Sequence, residues 1–173
     1  MNETLRVLRE RRSIRKYKAE QITDAELDAI LEAGTWAPTG MGKQSPVMVV
    51  VQDAETIAYM SGLNAEIQGN PGADPFYGAP TVVVVLADST NPNWLKDGSL
   101  VMGNLMNAAA SLHVGSCWIN RAEELFDRPE GKELLKKWGL PENYRGVGNC
   151  ILGYAEGEPS IPKPRKEDYI RRV

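Results

Sequence analysis

Arg11-Arg12-Ser13-Ile14-Arg15-Lys16-Tyr17 sets four cationic side chains and a hydroxyl within seven residues. A guanidinium offers a planar fork of donors that matches phosphate oxygens, and a serine hydroxyl adds one more hydrogen bond. The other concentration of positive charge lies at the far end of the chain, from Lys163 through Arg165 to Arg172. Either run alone is ordinarily a solvated basic turn. Together they read as a phosphate clamp, and the elements between them as walls of the site it anchors.

Side-chain chemistry is otherwise sparse. The single histidine, His113, leaves no means of building a Ser-His-Asp triad or a multi-histidine metal centre. Cys117 and Cys150 have no metal-ligand spacing and sit in apolar surroundings, as reduced core cysteines do. Only Arg121 stands near Cys117 in sequence to activate it, so that thiol reads as structural. For an enzyme built on this sequence, a bound organic cofactor is a better reading than side-chain acid-base chemistry alone.

The chain has 173 residues, 42% of them hydrophobic, enough for one domain with a real core. A net charge of -3 provides no global basic field, so binding to nucleic acid is not expected. No apolar run approaches the ~20 residues of a membrane span, and a charged helix, not a signal sequence, follows Met1. The expected location is cytoplasmic.

The elements that must position the clamp follow from capping and periodicity. Leu5 and Leu8 mark a short first helix from Asn2 to about Arg9. Thr23 and Glu26 form a capping box ahead of Leu27, Ile30 and Leu31, a helix that Gly34 stops after Ala33. Trp36 to Pro46 is a loop with prolines and glycines, suited to offering backbone amides to a ligand. Val47–Val51 reads as a strand buried on both faces, and Thr81–Ala87 as the central strand of the sheet. Between them Asp53 opens a helix to about Ile67, followed by the Gly/Pro/Asn-rich stretch Gln68 to Pro80. Phe76 and Tyr77 in that stretch are candidates to gate a channel. Trp94 to His113 reads as a helix of ~30 Å, apolar over so wide an arc that it needs cover from the core or a second subunit. Gly115–Ile119 and Gly148–Tyr154 are further strands, and Pro129–Trp138 is a helix closed by Gly139. Trp36, Trp94, Trp118 and Trp138 read as core or interface residues. The tail from about Gly157 cannot pack a core of its own and is disordered or laid across a partner. No repeat or linker divides residues 1–173.

The order of these segments resembles the nitroreductase family of flavin mononucleotide (FMN) enzymes. The likeness is carried by the arginine-serine-arginine segment, "APTGMGKQSP", the long apolar helix, "GSCWIN", "ILGYAEGEP" and the "KPR" tail, and it spans nearly the whole chain. It implies an α+β fold with a mostly antiparallel central sheet flanked by helices, in an intertwined homodimer with flavin at the interface. By position, Arg11, Ser13, Lys163 and Arg165 would hold the phosphate, with Arg12 near the ribityl chain or phosphate. Arg15 would sit at the pyrimidine edge of the ring, where a fixed cation stabilises the reduced flavin. Pro38, Thr39 and Gly40 would reach the ring from the partner subunit, with Gln44 nearby. Trp118, Ile119 and Asn120 would cover its central portion, the Asn120 N–H facing the hydride-accepting nitrogen. This chain departs from the family pattern at Gly42, where asparagine is frequent, and at Ser45 and Pro46, where proline and an aromatic are. It also reads His113-Val114-Gly115 where Gly-Leu-Gly is usual.

The activity the resemblance implies is ping-pong reduction, with NADH or NADPH as electron donor. The acceptor would be an electron-poor small molecule, namely a nitroaromatic, a quinone or an activated alkene. No catalytic acid is evident, and solvent can supply protons. The other reading of the same residues is a non-catalytic protein that holds flavin or another phosphate-bearing nucleotide.

Overall fold

Thr81–Asp88 is the most apolar stretch of the chain, and in the computed structural model, which describes residues 1–173, it is flanked by strands on both sides. The strands are β1 (Pro46–Val51), β2 (Thr81–Asp88), β3 (Gly115–Ile119) and β4 (Tyr144–Gly153). They lie in the order β1-β2-β4-β3, each neighbouring pair antiparallel. The helices are α1 (Glu3–Glu10), α2 (Asp24–Thr35), α3 (Ala54–Ile67), α4 (Trp94–Ser111), α5 (Ala122–Asp127) and α6 (Pro129–Lys137). The fold is α+β.

Strand periodicity sorts the core into two layers. Val82, Val84 and Leu86 of β2 face Met60 and Leu63 of α3, Leu125 and Phe126 of α5, and Leu135 of α6. Val83, Val85 and Ala87 face the other way, toward Leu27 and Ile30 of α2 and Val101, Met102 and Leu105 of α4. Each fully buried aliphatic side chain of this kind contributes ~1.5–3 kcal/mol of transfer free energy.

Local chemistry sets the helix starts. Thr23 and Glu26 make the expected capping box, and Tyr154 donates its hydroxyl to Glu26 Oε2 at 2.7 Å, tying the end of β4 to α2. Asp53 caps α3 through the Thr56 N–H at 2.8 Å, and Pro129 opens α6. Between β2 and β4 the register slips at Val85/Leu86, leaving Val147 unpaired as a bulge. Gly146 beside it is required, because a Cβ there would stand 2.2 Å from the Ala122 carbonyl oxygen.

Several sequence expectations are corrected. α2 runs through Gly34 to Thr35, since Gly34 lies buried where α2 meets Met48 and Leu105 and does not break the helix. β1 is an edge strand, mostly half-buried and with Val50 exposed; no strand of this chain pairs with its outer edge. α4 stops at Ser111, and His113 adopts a left-handed backbone (φ 59°) beyond it. β4 begins four residues early, at Tyr144, and α5 occupies a stretch given no element above. Phe76 is fully buried against the α3 face, which removes it as a gate; Tyr77 beside it is exposed. Trp36, 78% exposed, packs into no core of this chain. The tail is exposed along its length, with one 3-10 turn at Glu167–Tyr169. No helix is long and apolar enough to cross a membrane.

Candidate functional site

The basic segment is fixed by its backbone. Arg11 ends α1, its N–H donating to Val7 O at 2.9 Å. The Ile14 N–H then donates to Ser116 O at 2.9 Å, and Ser13 pairs with Ser116 as a one-residue parallel bridge. That contact lays the segment along the outer edge of β3. Farther on, Lys18 N–H donates to Tyr154 O and Glu156 N–H to Lys16 O, both at 2.9 Å. Tyr17 is buried beneath, its hydroxyl donating to Ile14 O at 2.7 Å, and burial pushes its phenol pKa upward.

With the backbone held, the cations converge. Arg11, Arg12, Ser13 and Arg15 line one side of a groove of about 900 Å³, and Lys163 and Arg165 of the tail line the other. Arg165 Nη2 donates to Lys163 O at 2.7 Å, and Arg12 Nη1 donates to Arg11 O at 2.7 Å and Arg9 O at 2.9 Å. Arg11 Nη1 is buried and has no partner. An orphaned buried guanidinium donor costs free energy that an anion recovers. The donor set here, guanidinium, ammonium and hydroxyl groups, fits a phosphate group.

The loop after α2 lies elsewhere. Pro38 is exposed, and Gly40–Gly42 forms a short 3-10 turn. Met41, Gly42 and Gln44 all have left-handed backbones (φ 54°, 65° and 50°). The Gln44 N–H donates to Thr39 Oγ1 at 3.0 Å, and the Gly40 N–H to Asp97 Oδ1 at 3.0 Å. A Cβ on Gly40 would stand 2.5 Å from Asn93 Nδ2. This loop leads into β1, whereas the basic segment borders β3 at the opposite edge of the sheet. Within one protomer the two groups are not brought together.

The third group closes β3. Ile119 is buried and Asn120 exposed at the strand's end, and Arg121 turns the chain with φ 72°. Asn64, buried on α3, donates through Nδ2 to Asn120 O at 2.8 Å and so fixes this turn. The Trp118 indole lies over Gly148 and against Met102, on the α4 side of the sheet, its Nε1 buried without a partner. Cys117 and Cys150 face opposite layers, so they cannot pair, and burial pushes the Cys150 thiol up to about 12.

Sequence reasoning missed the residues that hold these groups: Asn64, Asn91 and Asp97. Asp97 had a signal, since it shares a stripe of α4 with Val101 and Leu105 at four-residue spacing, where an acid is out of place. Asn64 and Asn91 carry no comparable mark.

Comparison with known proteins identifies the family. The profile of the Nitroreductase family matches residues 8–154. A crystal structure of a nitroreductase with bound FMN from Bacteroides fragilis superposes with a TM-score of 0.92 at 32% identity, covering 100% of both chains. Another, from Desulfitobacterium hafniense and also with bound FMN, gives 0.89 at 30% identity over 100% of this chain and 99% of that one. An FMN reductase [NAD(P)H] of Bacillus subtilis is 27% identical over 95% of this chain and 70% of its own length. With most of its length matched by the family profile, the chain belongs to the nitroreductase family.

Proposed function

We propose that the protein is an FMN-dependent oxidoreductase that takes electrons from NADH or NADPH and reduces an electron-poor small molecule, a nitroaromatic, quinone or activated alkene. The observation that carries this reading is the groove lined by cations from both ends of the chain, Arg11, Arg12 and Arg15 with Lys163 and Arg165. The FMN-bound relatives and the FMN reductase named above support it.

When bound, FMN supplies the redox chemistry, accepting hydride from the nicotinamide and reducing the acceptor in a second half-reaction. The residues of the chain bind and orient. Arg11, Ser13, Lys163 and Arg165 hold the phosphate, and Arg12 the phosphate or ribityl chain. Arg15 places positive charge at the pyrimidine edge of the ring. The Asn120 N–H faces the ring's central portion beside Trp118 and Ile119, and the Asn64 contact keeps that turn in place. Pro38, Thr39, Gly40 and Gln44 belong to the ring held by a second copy, because they stand at the far edge of their own sheet. The assembly in this reading is a homodimer of single domains spanning 1–173, with the tail reaching toward the partner. Two unpaired, buried cysteines fit a reducing, cytoplasmic setting.

The test is an absorption spectrum of the purified protein followed by anaerobic titration with each nicotinamide. A yellow protein whose visible flavin band bleaches with NADH or NADPH, and recovers on adding a quinone or nitroaromatic, is the expected result. A flavin that neither nicotinamide bleaches would leave only the non-catalytic binding reading.

A further inference from the structure

Asp97 is 4% exposed, and no cationic side chain lies within ion-pair distance of it. Its two oxygens take neutral donors instead. Oδ1 accepts the Gly40 N–H at 3.0 Å, and Oδ2 accepts Asn91 Nδ2 at 3.2 Å. The same Asn91 nitrogen gives a second hydrogen bond to Ser45 Oγ at 2.9 Å, while Asn91 Oδ1 accepts the Asn93 N–H at 3.1 Å. Asp97 is therefore not capping its own helix. Its position in the first turn of α4 lets the helix dipole offset part of the cost of burying it.

A buried carboxylate without a cation is costly, and this one occupies a packing position. Its contacts reach both ends of one loop, Gly40 directly and Ser45 through Asn91. Between those ends lie the left-handed residues Met41 and Gln44, a conformation that side-chain-bearing residues keep only when their surroundings impose it. Ser45 also stands where the family pattern often has proline, which has no hydroxyl to accept the Asn91 contact.

We propose that Asp97 is a positioning residue which, with Asn91 and Ser45, latches the 39–45 loop into the shape it presents to the flavin of the partner subunit. The inference rests on the reading of that loop as a wall of the partner's cofactor site.

Limited trypsin digestion reads the loop directly, because exposed Lys43 lies inside it. Asp97→Asn preserves size but sets one amide nitrogen against the Asn91 amide nitrogen. Cutting of the apoprotein after Lys43 should then accelerate about tenfold, the factor carried by one hydrogen bond to a charged group. The Kd for FMN, followed by quenching of flavin fluorescence, should rise by a similar factor. Asn91→Asp combined with Asp97→Asn exchanges donor and acceptor, and should return both readings to within about threefold of the parent. Ser45→Ala removes only the outer contact, should give an intermediate effect, and carries the test if Asp97→Asn does not fold. Unchanged cutting at Lys43 in both single variants would overturn the latch, as would acceleration spread equally over all tryptic sites or failure of the exchange to rescue. Faster cutting at Lys43 with unchanged FMN affinity would instead overturn the placement of the loop against flavin, and the proposal with it.

Discussion

Arg11→Ala removes the one guanidinium whose Nη1 is buried with no partner inside the protein. Without a ligand that nitrogen makes no hydrogen bond to offset its desolvation, so its loss should leave the melting temperature of the apoprotein unchanged or slightly raised. With a phosphate in the groove, the Arg11 guanidinium should make a charge-assisted hydrogen bond of ~1.5–3 kcal/mol. At ~1.4 kcal/mol per decade, the Kd for FMN should rise roughly 12- to 140-fold. Arg165→Ala should fall at or below the low end, because its guanidinium is exposed and water screens it. Fluorescence quenching at fixed ionic strength measures both, and riboflavin supplies the control, since it has the ring without the phosphate. Arg11→Ala should weaken FMN and leave riboflavin binding nearly as it was. An equal loss for the two ligands, or no loss for FMN, would refute the clamp.

Other expectations concern the scaffold. Thr23→Ala deletes one half of the α2 capping box and should cost about 1 kcal/mol, or about 2–4 °C in melting temperature by calorimetry. Gly131→Ala would bring a Cβ within 2.2 Å of Leu125 O and 2.5 Å of Phe126 Cα, which are backbone atoms that cannot rotate away. It should cost about 3 kcal/mol in urea denaturation, and a loss below about 0.5 kcal/mol would contradict that close approach. Arg145 holds the Asp127 carboxyl below its usual range, Thr23 and Tyr154 do the same for Glu26, and Thr56 and Thr90 for Asp53 and Asp88. Folding therefore favours the ionised forms, so stability is full above the unfolded carboxylate range of about 4 and is lost as pH falls through the depressed values. Melting curves from neutral pH into acid should show a plateau and then a decline; a rise on acidification would contradict these contacts.

The strand alternation of β2, the Thr23-Glu26 box and the Pro129 start of α6 were legible because each depends on residues near one another in sequence. α5 was not. Its six residues are too few to show periodicity, and it starts from the left-handed Arg121 with no side-chain cap. The early start of β4 hid behind Gly146 and Gly148, glycines that break the apolar pattern but serve a bulge against β2 and the close approach of Ala122. β1 misled because an apolar strand looks the same in sequence whether it lies inside the sheet or at its edge. At the site, the cations and the loop glycines were visible by residue type. The side chains that hold the Asn120 turn and the Gly40 backbone, Asn64 and Asp97, reach across 56 and 57 residues, a separation that local pattern cannot span.

In the proposed dimer, the placement of the two groups of site residues would make assembly part of ligand affinity. The groove borders β3 and the 38–44 loop leads into β1, with two strands between, roughly 14 Å at the usual strand spacing. The loop cannot swing across to its own groove. Gly34 packs against Met48 and Leu105 before it, and Gly40 and Ser45 are tied to Asp97 and Asn91 within it. A ligand that touches both groups must therefore touch two copies of the chain, and its binding and their association are one linked equilibrium. Light scattering should find a dimer at micromolar concentration. Dilution toward the dissociation constant should weaken FMN binding, and saturating FMN should shift that constant to lower concentration by the same factor. A monomer that holds FMN as tightly as the dimer would break the link, and would require every contact to the flavin to come from the β3 edge alone.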